Sequence, residues 1–192
     1  MGRFDDAIAA IDAANADDPH QIEVRGERRP KELAHAALMT EWVQHLDPHA
    51  TEAQLLAARA HHLRRWSSPR SSYPEGRAGY LRWRTALRKQ HAEEVAGLLT
   101  TAGYDDVTVA RVQAIIRKEG LASDAQVQVH EDALCLVFLE TQLAATTDDL
   151  GDDKMLDVIR KTAAKMSPAG LAQVAELPMR EHDRALIGRA LA

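Results

Sequence analysis

Residues 33–46 read LAHAALMTEWVQHL. The apolar side chains of this stretch recur at intervals of about one helical turn, at Leu33, Ala37, Leu38, Trp42 and Leu46. This spacing places them on one face of an α-helix. The preceding Pro30 suits a first helical turn, and Asp47-Pro48 marks the end of the helix. The stretch therefore predicts an amphipathic helix that packs against other helices.

Helical signals of the same kind extend in both directions from this stretch. Thr51 and Gln54 form a capping box for a helix that we expect to run through Trp66, and residues 146–153 read as a polar break. The chain has 34 alanines and only eight aromatic residues in 192, a composition that favours packed helices over sheets. The sequence predicts an all-α fold, a single bundle of about eight or nine helices. Residues 1–150 would form the main domain, and residues 151–192 a C-terminal helical extension packed on it.

Composition and apolar runs exclude several classes of protein. The 24 Lys and Arg against 29 Asp and Glu give a net charge of −5, which does not fit a protein that binds polyanions over its whole surface. One cysteine, Cys135, excludes an internal disulfide framework and a Cys-rich zinc module. The longest apolar run, Ala133–Leu139, is far shorter than the about 20 residues that span a bilayer. We expect a soluble, cytoplasmic protein with no membrane partner, and a cysteine that packs in the core.

The positive charge is concentrated in one segment. Residues 59–89 contain nine basic side chains and one acidic side chain, a net charge of +8, so the rest of the chain carries −13. Most of the nine are arginines, whose planar fork suits phosphate and carboxylate. The segment is either a solvated basic face or a binding site for an anionic, phosphorylated small molecule. Aromatic stacking platforms are few, which disfavours nucleic acid, and a homodimer remains open.

Five of the nine histidines stand out by position: His35, His61, His62, His91 and His130. A lone histidine on a helix is usually a satisfied polar group, but His61 and His62 are adjacent and lie within the basic segment. Imidazoles combined with carboxylates suit Mn, Zn, Fe, Ni or Co better than Ca or Mg. The sequence therefore predicts a divalent metal ion, without fixing its identity.

The order and spacing of these residues carry a resemblance. His35 and His61 lie 26 positions apart, Asp132 follows His62 by 70 positions, and His91 begins the leucine-rich run HAEEVAGLL. This pattern resembles that of the HD (His-Asp) superfamily of metal-dependent phosphohydrolases, over about residues 30–140. The resemblance implies an HD-like helical domain.

The resemblance also implies roles for individual residues. The metal ligands would be His62, His91 and Asp132, with His61 and His35 as further ligands. The groups acting in catalysis would be Arg65, Glu131, Lys118 and Glu119, where the acids could equally form helix-face salt bridges. The substrate-binding groups would be Arg70, Ser71, Tyr73, Arg77, Arg82 and Arg84.

The chain departs from the HD pattern at two positions. His62 stands where the superfamily has its Asp, and Arg117-Lys118 stands where two-metal members have a His-His pair. A standard two-metal centre is therefore not predicted. The chain also resembles an uncharacterised bacterial and fungal family, through runs such as RRW at 64–66, PRSSYP at 69–74 and GYLRWR at 79–84. That resemblance ranks His62, His91 and Asp132 above His35 and His61.

Three functions remain open from the sequence. The first is a divalent-metal-dependent hydrolase of a phosphorylated small molecule or nucleotide, in which metal-activated water attacks and an Arg/Lys clamp holds the phosphate. The second is a non-catalytic anion or nucleotide sensor on a degenerate HD fold. The third is an HD-fold iron-dependent oxygenase.

Overall fold

The computed structural model describes residues 2–192, and within them it contains ten α-helices, three 3-10 turns and one β-hairpin. The helices are α1 (Arg3–Ala16), α2 (Lys31–Leu46), α3 (Glu52–Arg59), α4 (Gly76–Thr101), α5 (Asp106–Arg117), α6 (Ala125–Thr141), α7 (Leu143–Leu150), α8 (Asp152–Ala163), α9 (Pro168–Gln173) and α10 (Glu181–Leu191). The 3-10 turns are Arg65–Ser67, Arg70–Ser72 and Val174–Glu176. The predicted all-α class is confirmed, with slightly more helices than expected.

One extra helix occupies the predicted polar break. Helix α7 spans most of residues 146–153, although half of its sequence, LAATTDDL, is polar. Leu143 and Thr147 are buried on its inner face, and the Thr147 hydroxyl donates to the Leu143 carbonyl at 2.9 Å. The buried Leu143 and the hydrogen-bonded hydroxyl of Thr147 therefore stabilise a helix where the composition indicated a loop.

A hairpin precedes α2, in a stretch that sequence analysis left without structure. Its strands, β1 (Gln21–Val24) and β2 (Glu27–Pro30), pair antiparallel with Gln21 opposite Pro30. Arg25 and Gly26 form the turn with φ values of 52° and 82°, the two positive angles of the tight hairpin turn that matches strand twist. The Arg25 guanidinium also contacts carboxylates of α2 and α6, which ties the hairpin to the bundle.

The core has two large parts joined by a smaller one. Helices α1, α3, α4 and α5 bury one cluster, which includes Ile11, Leu56, Leu99 and Ile115. Helices α6 to α10 bury a second, which includes Leu136, Leu143, Met155, Leu177 and Leu186. Met39, Val43, Ala58 and Val137 connect the two through α2, α3 and α6. Residues before and after position 150 share the second cluster, and the domain boundary at 150 stays a prediction.

The chain leaves α3 earlier than predicted. The Thr51–Gln54 capping box is present, but α3 ends at Arg59 and a turn follows instead of a helix through Trp66. Arg64 has a left-handed backbone, with φ 49°, and its N–H donates to the Asn15 side chain at 3.1 Å. The anchor on α1 therefore fixes the bend of the chain here, just after the buried His61 and the half-buried His62.

The loop before α4 packs closely against the backbone of Gly79. A methyl group on Gly79 would lie 1.8 Å from the Pro74 carbonyl oxygen, whereas one on Gly97 of the same helix would meet nothing within 4 Å. We expect Gly79→Ala to lower stability by about 2 kcal/mol, because backbone must move. We expect Gly97→Ala to raise it by about 0.5–1 kcal/mol, because alanine has the higher helix propensity. Urea denaturation of the two variants measures both changes, and equal effects would contradict this close packing.

Two further sequence predictions concern the single cysteine and the membrane. Cys135 is buried in the second core cluster, as predicted, and burial raises the pKa of its thiol to about 12. None of the helices described between residues 2 and 192 is long and apolar enough to cross a bilayer.

Candidate functional site

Two histidines and one carboxylate converge between the start of α2 and the turn after α3. Glu32 and His35 lie one turn apart on α2, and His62 comes from the turn after α3. One donor atom from each of the three lies within 4.8 Å of the other two. The Glu32 Oε2 atom is 3.3 Å from His35 Nδ1 and 3.1 Å from His62 Nδ1. We call these three residues the triad.

The hydrogen bonds around His62 assign its proton. An arginine can only donate, so the 2.9 Å contact from Arg65 Nη1 falls on a lone pair of His62 Nε2. The proton is then on Nδ1, which donates to Glu32. Burial lowers the pKa of His62 well below its ordinary value, and the charge of Arg65 lowers it further. His62 is therefore a neutral imidazole, the form that binds metal ions.

The contacts of His35 leave a lone pair facing the carboxylate. The Thr141 hydroxyl donates to the Val137 carbonyl at 2.7 Å, so it accepts from His35 Nε2–H at 3.2 Å. A neutral His35 then turns the lone pair of Nδ1 toward Glu32 Oε2, and two acceptors face each other in a buried place. A cation between them, a proton or a metal ion, resolves this conflict.

The backbone of Glu32 is itself held in place. Its N–H donates to Asp18 Oδ2 at 3.0 Å, and Asp18 is buried before the hairpin. The other oxygen of Asp18 accepts from the backbone N–H of His20 at 2.9 Å. Sequence analysis missed Glu32 and Asp18. The signal for Glu32 was its position three residues before His35, which puts both on one helix face.

The triad lies in the wall of a cleft of about 890 Å³, formed by α2, the turn after α3, α4, α6 and α8. Six basic side chains line this cleft: Lys31, Arg65, Arg77, Arg84, Lys161 and Lys165. Its acidic lining residues are Glu32 and Glu131, so the cleft is electropositive. Two of the lining lysines come from α8 and the segment after it, far in sequence from the basic segment at 59–89.

The other predicted histidines form a buried group beside the triad. His61 Nδ1 lies 2.8 Å from His130 Nε2, and the ring of His61 is 4.2 Å from that of His62. His91 Nδ1 donates to the Leu63 carbonyl at 2.9 Å, its ring lies 6.0 Å from that of His62, and its buried Nε2 has no hydrogen-bond partner. Burial lowers the pKa of His91 to about 4 and that of His130 to about 3. These rings are neutral and near the triad, but they do not join it.

Asp132, a predicted ligand, has another task in the structure. Its carboxylate accepts from the Ser167 N–H at 2.8 Å, from the Ser167 hydroxyl at 2.5 Å and from Gln128 at 2.9 Å. The same hydroxyl accepts from the Gly170 N–H, which caps α9. Asp132 therefore holds the start of α9 against α6 and is not part of the triad.

Lys118 and Glu131 form a buried ion pair beside the histidines. The ammonium of Lys118 contacts Glu131 Oε2, with the side chains 7% and 3% exposed. Lys118 follows α5 with a left-handed φ of 61°, which directs its side chain inward. Burial lowers the pKa of Lys118, while the charge of Glu131 opposes that change. Glu131 lines the cleft and Lys118 is not among the described lining residues, so the predicted catalytic roles of both stay predictions.

Comparison with known proteins places the chain in one family. The family model described as "Domain of unknown function (DUF4202)" matches residues 5–187. The chain belongs to this family. The DUF4202 match covers every residue of the triad and the cleft lining. No curated protein and no solved structure matches the chain. The resemblance to the HD superfamily stays a prediction.

The remaining predicted residues divide by their distance from the cleft. Arg65, Arg77 and Arg84 line it. Several others are not among the described lining residues: Arg70, Ser71, Tyr73, Arg82 and Glu119. Arg70 donates to the Tyr73 carbonyl at 2.9 Å and stabilises the loop, while the exposed Glu119 pairs with Arg117 at 3.7 Å. The predicted roles of these five residues in binding or catalysis stay predictions.

Proposed function

We propose that the protein is a divalent-metal-dependent hydrolase of a phosphorylated small molecule, with the metal held by Glu32, His35 and His62. The observation that supports this proposal best is the position of the triad in the wall of the electropositive cleft. A phosphate drawn in by the cleft's arginines and lysines would meet the metal there.

The proposed ligand set differs from the one predicted by resemblance. His35 and His62 remain, Glu32 replaces Asp132, and His61 and His91 lie next to the set. Two histidines and one carboxylate are the ligands of several hydrolytic zinc enzymes, and they also suit Mn, Fe, Co and Ni. His62 faces Glu32 through its protonated Nδ1, so metal binding there would require this proton to leave Nδ1 and Arg65 to release Nε2.

The side chains around the triad have separable tasks. The metal would supply a bound water of lowered pKa. Arg65 and Arg84 would hold the phosphoryl oxygens, and burial of Arg65 strengthens that interaction because few waters compete. The carboxylate of Glu131, which lines the cleft, would be the candidate proton acceptor.

Metal content and phosphate release test the proposal together. The protein is purified without added metal, analysed for elements, treated with EDTA, and reloaded with Mn, Zn, Fe, Co or Ni. We expect about one ion per chain with an intact triad, and phosphate release from a panel of phosphomonoesters that stops with EDTA and returns on reloading. A protein that binds none of these ions, or releases no phosphate with any of them, would overturn the proposal.

Two observations favour other functions, and the same samples distinguish them. Two histidines with one carboxylate also form the ligand set of non-haem iron oxygenases, so bound iron with oxygen consumption and no phosphate release would identify that class. Arg65 occupies His62 Nε2 in the structure, an arrangement that suits a sensor without metal. Anion binding that survives EDTA without turnover would identify the sensor.

A further inference from the structure

We propose that the ligand of the cleft is an anion bearing a planar aromatic group, and that this group stacks on Tyr80. The inference deepens the proposed function by naming a substrate class, and it rests on that proposal for the position of the phosphate. It starts from an unusual surface: Tyr80 and Leu81 are 45% and 52% exposed, and both line the cleft.

Basic and apolar side chains alternate along the face of α4 that borders the cleft. Arg77, Tyr80 and Arg84 follow one another at three- and four-residue intervals, so they lie about one helical turn apart on one face. A rise of about 1.5 Å per residue puts the ring of Tyr80 within about 5–6 Å along the helix axis of each arginine. A ligand that contacts both Tyr80 and one of these arginines would therefore carry its negative charge and its apolar group close together.

Trp83, which packs next to Tyr80, already makes contacts through its ring and its indole nitrogen. The guanidinium of Arg65 lies over the ring of Trp83, 4.8 Å from its centroid, and Trp83 Nε1–H donates to the Ser68 carbonyl at 2.9 Å. Trp83 is therefore a fixed support that holds Arg65 toward His62. The ring of Tyr80 is tilted by 52° against that of Trp83, with 5.9 Å between ring centroids, and Tyr80 keeps nearly half of its surface exposed.

The other walls of the cleft supply an apolar boundary. Leu134 and Phe138 of α6 and Val158 of α8 line it together with Tyr80 and Leu81. Inorganic phosphate or a sugar phosphate would satisfy the arginines and leave these side chains in water. An aryl phosphate or a nucleoside monophosphate would cover them, because an aromatic ring stacks on a tyrosine face with favourable energy.

Binding measured without turnover tests the inference separately from catalysis. In the presence of EDTA, calorimetry compares phenyl phosphate, adenosine 5′-monophosphate, decyl phosphate, glucose 6-phosphate and inorganic phosphate. We expect the two aromatic compounds to bind at least about 10-fold more tightly than glucose 6-phosphate, the scale of one stacked ring. Tighter binding of decyl phosphate would indicate an alkyl chain as the natural group and would overturn the inference.

Substitutions at Tyr80 test whether its ring contacts the aromatic group of the ligand. We expect Tyr80→Ala to weaken the aromatic compounds about 10-fold and to leave inorganic phosphate within about twofold, while Tyr80→Phe keeps the affinity because its ring remains. Val107→Ala, at a residue that is 81% exposed and outside the cleft, is the matched control. Equal affinity of Tyr80→Ala and the parent for every compound would overturn the inference. Tyr80-dependent binding without hydrolysis by any metal-loaded sample would overturn the proposed function alone.

Discussion

Glu32→Gln is expected to abolish stable metal binding and the activity that depends on it. The substitution keeps the size of the side chain and removes the negative charge shared by His35 and His62. Partners outside a metal's ligands are each worth about 10–100-fold in metal affinity, so loss of a ligand should lower affinity by at least about 100-fold. Elemental analysis after gel filtration and calorimetric titration with Zn²⁺ or Mn²⁺ measure the loss.

Glu41→Gln is the matched control for this experiment. Glu41 lies on the same helix, but its side chain is 55% exposed and pairs with an exposed arginine of the hairpin. We expect this variant to bind metal as the parent does and to unfold at the same temperature. Parent-like metal affinity in Glu32→Gln would show that the triad is a hydrogen-bonded group and not a metal site.

Lys118→Met is expected to be the most destabilising single change near the site. It leaves the carboxylate of Glu131, only 3% exposed, without its cation. Removing one partner of a buried pair costs about 3–5 kcal/mol, a large part of the about 5–15 kcal/mol of a typical domain. Methionine meets the same backbone conformation as lysine at this left-handed position, so the change reports the charge. Urea denaturation measures it.

A double variant and an exposed ion pair test whether the loss of stability comes from the buried charge of Glu131. Lys118→Met with Glu131→Leu should regain most of the lost stability, because neither charge then remains buried alone. Lys89→Met breaks an ion pair whose side chains are 73% and 57% exposed, and we expect a loss below about 1 kcal/mol. Similar losses in Lys118→Met and Lys89→Met would contradict a buried electrostatic cause.

The sequence predicted the helices well and the hairpin not at all. Apolar spacing and capping residues are local signals, so the start of α2 and the Thr51 cap of α3 could be read from a few neighbouring positions. The hairpin turn is Arg25-Gly26, which lacks the Asn-Gly or Asp-Gly pair that usually indicates such a turn. Its strands are only four residues each and half polar.

The site was predicted in part, for a related reason. His35 and His62 emerged from spacing and lie close together in the triad, while their role as metal ligands stays a prediction. Asp132 could not be assigned from sequence, because its partner Ser167 lies 35 positions further along and only the folded chain brings them together. Likewise, nothing in the segment at 59–89 indicates that Lys161 and Lys165 complete the basic lining.

The left-handed backbone at Arg64 and Lys118 lowers stability at both positions, and the two side chains compensate for this cost to different degrees. Each non-glycine residue in this conformation costs about 1 kcal/mol or more, and the two residues flank the histidines and the buried ion pair. Selection for thermostability alone should therefore accept glycine at Arg64, whose side chain is 48% exposed and has only a 3.9 Å contact with Glu94. The same selection should keep Lys118, because glycine there would leave Glu131 uncompensated. Directed evolution toward heat resistance would thus separate the residue that merely bends the chain from the one whose charge the interior requires.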